Sequence, residues 1–321
     1  MTDPVAAGAQ ALAAGGLVAF PTETVYGLGG DALNVSAVGR IFAAKGRPTD
    51  HPLICHIASV DDLAALVAEV TPAARALADA FWPGPLTLVM TRSAAVPDAV
   101  TGGLDTVAVR IPDHPLALQL LQAFGGPVAA PSANRFGRPS PTRADDVRHE
   151  LGDAVDVILD GGPCAIGVES TVLDLVSDPP QVLRPGGISA AEIARVIGSP
   201  VSATASGPAR APGMLEAHYA PGARVEVITA DGAPARAAEL TASGASVALL
   251  APHAISPLPD AVLVLGPAGA PDAYASALYA AFRRADASGC QVILAVPPPP
   301  EGIGVAVRDR LDRAAAGSSP A

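Results

Sequence analysis

The 321 residues carry a formal net charge of −11, and half of them are hydrophobic although aromatics make up only 3%. Such a chain is long enough for two domains and a large core, which must be built from Ala, Val, Leu and Ile. Its acidity argues against a general nucleic-acid surface, which needs clustered cations. No apolar run reaches the roughly 18–20 residues that span a bilayer.

The amino-terminal MTDPVAAGAQALAAGG carries an acid and no basic stretch, so it does not read as a signal peptide. Its Asp-Pro opening and Gly-Gly close predict a short helix, and a soluble, cytoplasmic protein is expected. Strands are predicted at 17–20, 53–57, 86–90, 106–110, 127–130, 155–159 and 171–175. Helix starts are predicted at Ser59, Thr71-Pro72, Thr142 and Ser189. This alternation predicts an α/β domain over residues 1–200 with one main mixed sheet.

Residues 201–223 have linker composition, rich in Ser, Pro, Gly and Ala, yet MLEAHYAP places a Met, a His and a Tyr there. A second alternation follows over 224–316, with strands at 224–229, 246–250, 261–265 and 291–296 and helices from 271 to 287 and before the tail. A smaller three-layer α/β domain fits that pattern. Cys55, Cys164 and Cys290 are scattered, in no metal or disulfide spacing, and read as buried inert thiols.

The polar residues of interest fall at predicted strand ends, where open α/β sheets place ligands. They lie in PTETVYGL (21–28), KGRPTDHPL (45–53), LICHI (53–57), DTVAVRIP (105–112), APSANRFGRPSPT (130–142), GVESTVLD (167–174) and VLRPGG (182–187). Lys45 is the only lysine, and its loop with Arg47 is expected to point cations at a partner. Arg110 ends an alternating strand, and its planar fork matches a carboxylate or phosphate. Taken singly, each has an ordinary reading: Arg110 as an ion-paired surface arginine, His56 as a core histidine, Ser170-Thr171 as strand-opening hydroxyls, and the arginines at 135, 138, 143 and 148 as a solvated face. Walker, GxGxxG, GxSxG and HExxH patterns are all missing. Hydroxyls, cations and flexible backbone without a nucleophile–base pair suit the binding and alignment of anions.

In this order the blocks, with FWPGPLTLV, resemble the YrdC family, densely over residues 5–222. APGMLEAHYAP and a second α/β domain are similar to that family's long form. The resemblance implies a YrdC-like twisted mixed sheet with helices around a large cavity, followed by a Rossmann-like domain. It implies formation of a threonylcarbamoyl-adenylate and pyrophosphate from L-threonine, bicarbonate and ATP, with Mg²⁺ held chiefly by the ATP phosphates. A separate transferase would use the product at position 37 of tRNA. Carried over, Thr24, His56, Arg110, Ala130 and Ser170 resemble the threonine-binding positions, with Arg110 on the carboxylate. Arg47, His51, Thr106, Ser132, Ser140, Arg184 and Tyr219 resemble the nucleotide-binding positions, with Tyr219 closing over the nucleotide. Lys45 and Arg47 would stabilise charge, and no covalent nucleophile or protein metal ligand is expected, although Glu23 and Glu169 are candidates for Mg²⁺. Thr22, Thr24 and Tyr26 are expected to line the threonine pocket, with the following glycines letting backbone approach the ligand. Segment 206–222 is expected to be a lid anchored by the second domain. Two rivals are a YrdC-like module that only binds RNA, and a hydrogenase-maturation carbamoyl transferase, whose zinc fingers three isolated cysteines cannot form.

Overall fold

A computed structural model describes residues 3–204 and 218–318. Most of the expected lid therefore lies outside the described residues. The chain forms two compact units: the first runs to residue 204, apart from Gly137–Ser140 and Ile166–Val168, which join residues 218–318 in the second.

The first unit contains α1 (Pro4–Ala13), β1 (Val18–Phe20), β2 (Gly27–Asp31), α2 (Val35–Lys45), β3 (Ile54–His56), α3 (Leu63–Leu66) and α4 (Pro72–Phe81). It continues with β4 (Leu86–Thr91), α5 (Asp98–Thr101), β5 (Thr106–Arg110), α6 (Pro115–Phe124), β6 (Val128–Ala129) and α7 (Ala144–Leu151). β7 (Val157–Ile158), β8 (Thr171–Asp174), β9 (Gln181–Arg184) and α8 (Ala190–Ile197) complete it. The strands form one mixed nine-stranded sheet in the order β7-β1-β2-β6-β3-β5-β4-β8-β9.

Local chemistry sets most helix ends. Asp3 accepts from the Val5 amide ahead of Pro4, Thr71 accepts from Ala74, and Ser189 forms a reciprocal box with Glu192. At 142 the expected start moves to Ala144, because Asp146 Oδ2 takes the amides of both Thr142 and Arg143 at 3.0 and 3.1 Å. After Ser59 the expected long helix is cut to a 3₁₀ turn and the short α3. Val67 turns extended and pairs with Arg92, and the Ala68 amide reaches Thr91 O at 2.9 Å. Here strand pairing overrides a helical pattern.

Two strands were illegible in the sequence. β9 runs antiparallel to β8. β2 is built from the glycines after PTETVY, and packing requires at least one of them. A Cβ on Gly29 would lie 2.7 Å from Val128 Cγ1 and 2.8 Å from Phe20 Cε1. The helix α2 was also missed, so Lys45 is the last helical residue rather than the first of a loop.

Register sorts the sheet's two faces. β3, β5, β4, β8, β9 and β6 align Ile54↔Ala108, His56↔Arg110, Val89↔Ala108, Thr91↔Thr106, Thr87↔Val172, Val172↔Arg184 and His56↔Val128. Since side chains alternate with period two, these residues share one face. The opposite face carries Cys55, Leu86, Leu88, Val107, Val109 and Leu173, the centre of the main core with residues of α2, α4, α7 and α8. On the first face, α1 and α6 pack over Val18, Phe20, Val128 and Ala130. Over the remaining strands this face holds only a small apolar cluster, Ile54, Val89, Ala108, Val172 and Leu183, interleaved with polar side chains.

The second unit holds β10 (Arg224–Val227), α9 (Ala233–Ala242), β11 (Val247–Ala251), β12 (Leu263–Pro267), α10 (Pro271–Ala287), β13 (Val292–Ala295) and α11 (Gly304–Gly317). Its four strands are all parallel in the order β10-β13-β11-β12. α9 packs on one face, against Val247, Leu249, Val292 and Leu294. Alternate residues such as Ile293 are buried on the other face, where α10 and α11 meet. The three layers follow from the parallel order, since each crossover must return over a face.

Gly29→Ala is expected to destabilise the first unit by about 1–3 kcal/mol through overpacking. Gly39→Ala, on the exposed side of α2 where a methyl group meets nothing within 4 Å, should stabilise by about 0.5–1 kcal/mol. Denaturant midpoints of the two variants check this, and equal shifts would contradict the packing account of β2.

Candidate active site

Arg110 is the last residue of β5 and is buried. Nε donates to Gly84 O at 3.1 Å and Nη1 to Thr24 Oγ1 at 2.9 Å. Nη2 lies 2.5 Å from Glu23 Oε1, as an ion pair whose angles are not those of a hydrogen bond. The other Glu23 oxygen accepts the Asp113 amide at 3.1 Å. Arg110 is thus a buried charge with a buried counter-charge, not a surface arginine.

The turn before β2 supplies Thr24. Thr22 Oγ1 donates to Val25 O at 2.7 Å and accepts the amides of Thr24 and Val25. With that proton committed, Thr24 is the donor in the 2.8 Å contact between the two hydroxyls, and it offers its lone pairs to Arg110. The expected grouping of Tyr26 with these threonines fails. Its ring belongs to the main core and its hydroxyl is tied to Gly162 O and the Gly161 amide, while burial pushes its pKa up to about 12.

His56 pairs directly with Arg110 across β3 and β5, with its ring edge-on to Phe20 at 5.8 Å. Burial, reinforced by the Arg110 charge, pushes its pKa down to about 3, so the imidazole is neutral, and Nδ1 has no partner. A buried polar atom without a partner is unusual and marks a place for one. Ala130 follows β6, and its amide donates to Ile54 O at 2.9 Å.

Ser170 precedes β8. Its hydroxyl meets Thr87 Oγ1 at 2.8 Å and accepts from Arg184 Nη2 at 3.1 Å, and its carbonyl accepts from Arg184 Nε at 3.1 Å. The two sets of positions expected from sequence therefore touch at Ser170 and Arg184. The turn after β9 supports this contact. A Cβ on Gly186 would stand 2.1 Å from the Thr171 amide nitrogen, so only glycine admits the approach. Thr87, wholly buried on β4, was missed. Its signal was the alternation of Leu86-Thr87-Leu88, which turns a hydroxyl to the face shared with Arg110.

A second cluster surrounds residues 132–136. Lys45 Nζ donates to Ser132 O and Asn134 O at 2.6 and 2.5 Å. Burial and the nearby Arg47 hold its pKa well below the usual lysine range. Rather than pointing from a loop, Lys45 fastens the Ser132–Asn134 segment to the end of α2. Arg47 donates to Pro52 O at 3.2 Å and lies over the Phe136 ring at 5.8 Å. His51 lies 5.6 Å from the same ring, its pKa lowered by burial and by Arg47. Its 3.9 Å approach to Asp50 is accordingly not an ion pair near neutral pH.

Not every expected residue joins these clusters. Thr106 starts β5, four residues and so about 13 Å from Arg110 along the strand, with a buried hydroxyl that lacks a partner. Ser140 and Tyr219 belong to the second unit. Tyr219 is buried there at φ 63°, 5.3 Å below the Arg310 guanidinium and 5.9 Å from Tyr279. Glu169 is also buried. Among the described residues no group of three or more His, Cys, Asp or Glu stands together to hold a metal, and no helix is long and apolar enough to cross a membrane.

The neutrality of His56 has a pH signature. Above pH 6.5 the imidazole is neutral whether the chain is folded or unfolded. As pH falls below 6.5 the unfolded chain takes a proton that the folded form refuses until about pH 3. Stability is therefore lost on acidification through this window, by about 1.4 kcal/mol per pH unit. His56→Gln should flatten this slope between pH 6.5 and 4.5. A His56 imidazole resonance that titrates near pH 6 in the folded protein would contradict the assignment.

The Sua5–YciO–YrdC family model, described as telomere recombination, matches residues 10–186, and the model for the C-terminal domain of threonylcarbamoyl-AMP synthase matches residues 188–316. The chain is 47% identical over 311 residues to the threonylcarbamoyl-AMP synthase of Pyrococcus abyssi, covering 94% of this chain and 90% of that one. It is 43% identical over 336 aligned positions to the Bacillus subtilis enzyme of the same name, covering 98% and 94%. The solved structure of P. abyssi Sua5 complexed with L-threonine matches with a TM-score of 0.91 at 44% identity, over 99% of this chain and 96% of that one. Buried cations among hydroxyls on one sheet face, the two matched domains and whole-length likeness lead to one conclusion: the chain belongs to the Sua5–YciO–YrdC family, in the form that carries the threonylcarbamoyl-AMP synthase C-terminal domain.

Proposed function

We propose that this protein is a nucleotidyltransferase that makes L-threonylcarbamoyl-AMP from L-threonine, bicarbonate and ATP, releasing pyrophosphate. The observation that carries the reading is the junction of Arg110, Thr24 and His56 with Ser170 and Arg184 on one face of the sheet. Identity over nearly the whole length to synthases of that name supports it.

The reaction suits a site without a nucleophile. The threonine amine and bicarbonate give a carbamate and water. A carbamate oxygen attacks the α-phosphorus and pyrophosphate leaves, so both reacting groups belong to substrates. The protein has to align anions that repel one another and stabilise charge as it develops. Arg110 is assigned to the threonine carboxylate, as a fork already oriented by Gly84 O and Thr24. His56, neutral and short of a partner at Nδ1, fits a hydrogen bond with the amino acid. Thr24, Ala130 and Ser170 complete the threonine side. Arg184, Arg47, His51, Thr106, Ser132, Ser140 and Tyr219 are assigned to ATP.

Lys45, tied to Ser132 O and Asn134 O, serves by ordering that segment. Glu23 is committed to Arg110 and the Asp113 amide, and the described residues do not form a metal cage. Mg²⁺ is assigned chiefly to the ATP phosphates, with Glu169 the remaining candidate for a protein ligand. The product would pass to a separate transferase that modifies adenosine 37 of tRNA in the cytoplasm. A purely RNA-binding role is disfavoured by the net charge of −11 and by the burial of Lys45, Arg47, Arg110 and Arg184.

Pyrophosphate release should require threonine, bicarbonate and ATP together, and omission of any one should abolish it. Valine, which lacks the hydroxyl, should lower kcat/KM by at least about 100-fold, because it leaves buried polar groups unpaired. Release that persists without threonine or bicarbonate, or valine turned over as well as threonine, would refute the reading.

A further inference from the structure

The second unit has a cleft that the proposed reaction does not use. It measures about 720 Å³ and is formed by the segments that follow all four parallel strands. That is the end of an open parallel sheet at which ligands bind, and the volume lies within the range of small-molecule sites. Val227 ends β10 and Ile228 follows it, Pro252 and His253 follow β11, Gly269 and Ala270 follow β12, and Val296 and Pro297 follow β13. We propose that this cleft is a binding site for a small monocarboxylate with an apolar body.

Three observations set the chemistry. The walls are mainly apolar, with Ile228, Val296 and prolines offering a dry surface to a hydrocarbon group. Arg308, from α11, is the one arginine or lysine in the lining; its Nε is fixed to Pro298 O at 2.7 Å, and its charged neighbour is Asp312, one turn along the same helix. A fork held in place by one bond is a carboxylate receptor that loses little freedom on binding. Finally, α10, a 17-residue helix, begins at the cleft with no side-chain cap, so its positive end faces the same space.

The charge count distinguishes a carboxylate from a phosphate dianion. Arg308 is the only arginine or lysine among the lining residues, and Pro271 at the start of α10 has no N–H to donate. One cation matches a single negative charge rather than two. The walls are also rigid. Val296 N bonds Leu250 O at 2.8 Å, Ile228 N bonds Ala295 O at 2.9 Å, and Gly269 N bonds Pro252 O at 3.0 Å. A preformed cleft avoids the ordering cost that weakens binding to mobile surfaces.

The test uses the full-length protein with methyl-labelled Ile and Val and follows Val227, Ile228 and Val296 by NMR. 4-Methylpentanoate should shift these resonances saturably, whereas 4-methylpentan-1-ol and inorganic phosphate should bind at least ten-fold more weakly. Arg308→Gln should weaken the carboxylate at least ten-fold. Val227→Phe, which narrows the cleft and leaves the arginine in place, should abolish binding and decides the matter if the arginine variant fails to fold. The proposal falls if the carboxylate gives no saturable shift, if the alcohol or phosphate binds as well, or if both variants retain wild-type affinity. Pyrophosphate release is not the readout, so failure here leaves the synthase reading untouched, and failure of the synthase assay leaves the cleft untouched.

Discussion

The buried pair between Arg110 and Glu23 is the constraint around which the first unit is arranged. Taking two charges out of water costs several kcal/mol per ion, and removing one partner typically costs about 3–5 kcal/mol. The chain meets that demand by surrounding the guanidinium. Glu23 faces Nη2, Thr24 accepts from Nη1, and the Gly84 carbonyl accepts from Nε. Glu23 and Thr24 come from the turn before β2 and Gly84 from the loop before β4, so both segments are fixed to the end of β5 by one side chain. The same charge helps hold His56 neutral on the neighbouring strand. A cation kept in this way is oriented before any substrate arrives, which is what alignment of repelling anions requires.

Much of this was legible in the sequence where periodicity was strong. TVAVR and LTLVM alternate cleanly, and both are strands with their polar residues turned to one face. Capping residues Asp3, Thr71 and Ser189 marked real helix starts because their side chains have no competing partner. The failures share a cause. Glycines 27, 29 and 30 read as a flexible loop because a strand built from them has no side-chain pattern, and the packing that surrounds them comes from residues elsewhere in the chain, Phe20 and Ala130 at Gly27, Val128 and Phe20 at Gly29 and Ile41 at Gly30. Lys45 read as a loop cation because nothing local reveals the carbonyls of Ser132 and Asn134 that surround its ammonium. Tyr26 looked like a pocket residue from its neighbours, whereas its partners Gly161 and Gly162 lie far along the chain.

The second unit shows the same separation of local from distant information. Its parallel strands and the helix at 271–287 follow from composition and period, but the role of Tyr219 does not. That residue takes a left-handed backbone conformation, which costs of order 1–3 kcal/mol for a non-glycine residue. Packing against Arg310 and Tyr279 offsets that strain. The His and Tyr of HYAP, out of place in a plain tether, are buried in the structure. The parallel order of the strands gathers four chain segments and Arg308 around one cleft, a grouping no single stretch of sequence displays.

The central claim is that Arg110 presents an oriented fork to the carboxylate of threonine, and its most direct test is L-threonine affinity by calorimetry for the wild type and Arg110→Lys. Lysine keeps the charge, and so a counter-ion for Glu23, but loses the planar pair of donors. The account predicts at least about a 30-fold weaker dissociation constant, close to 2 kcal/mol, with the thermal unfolding profile retained. Affinity within two-fold of wild type in a folded variant would contradict it.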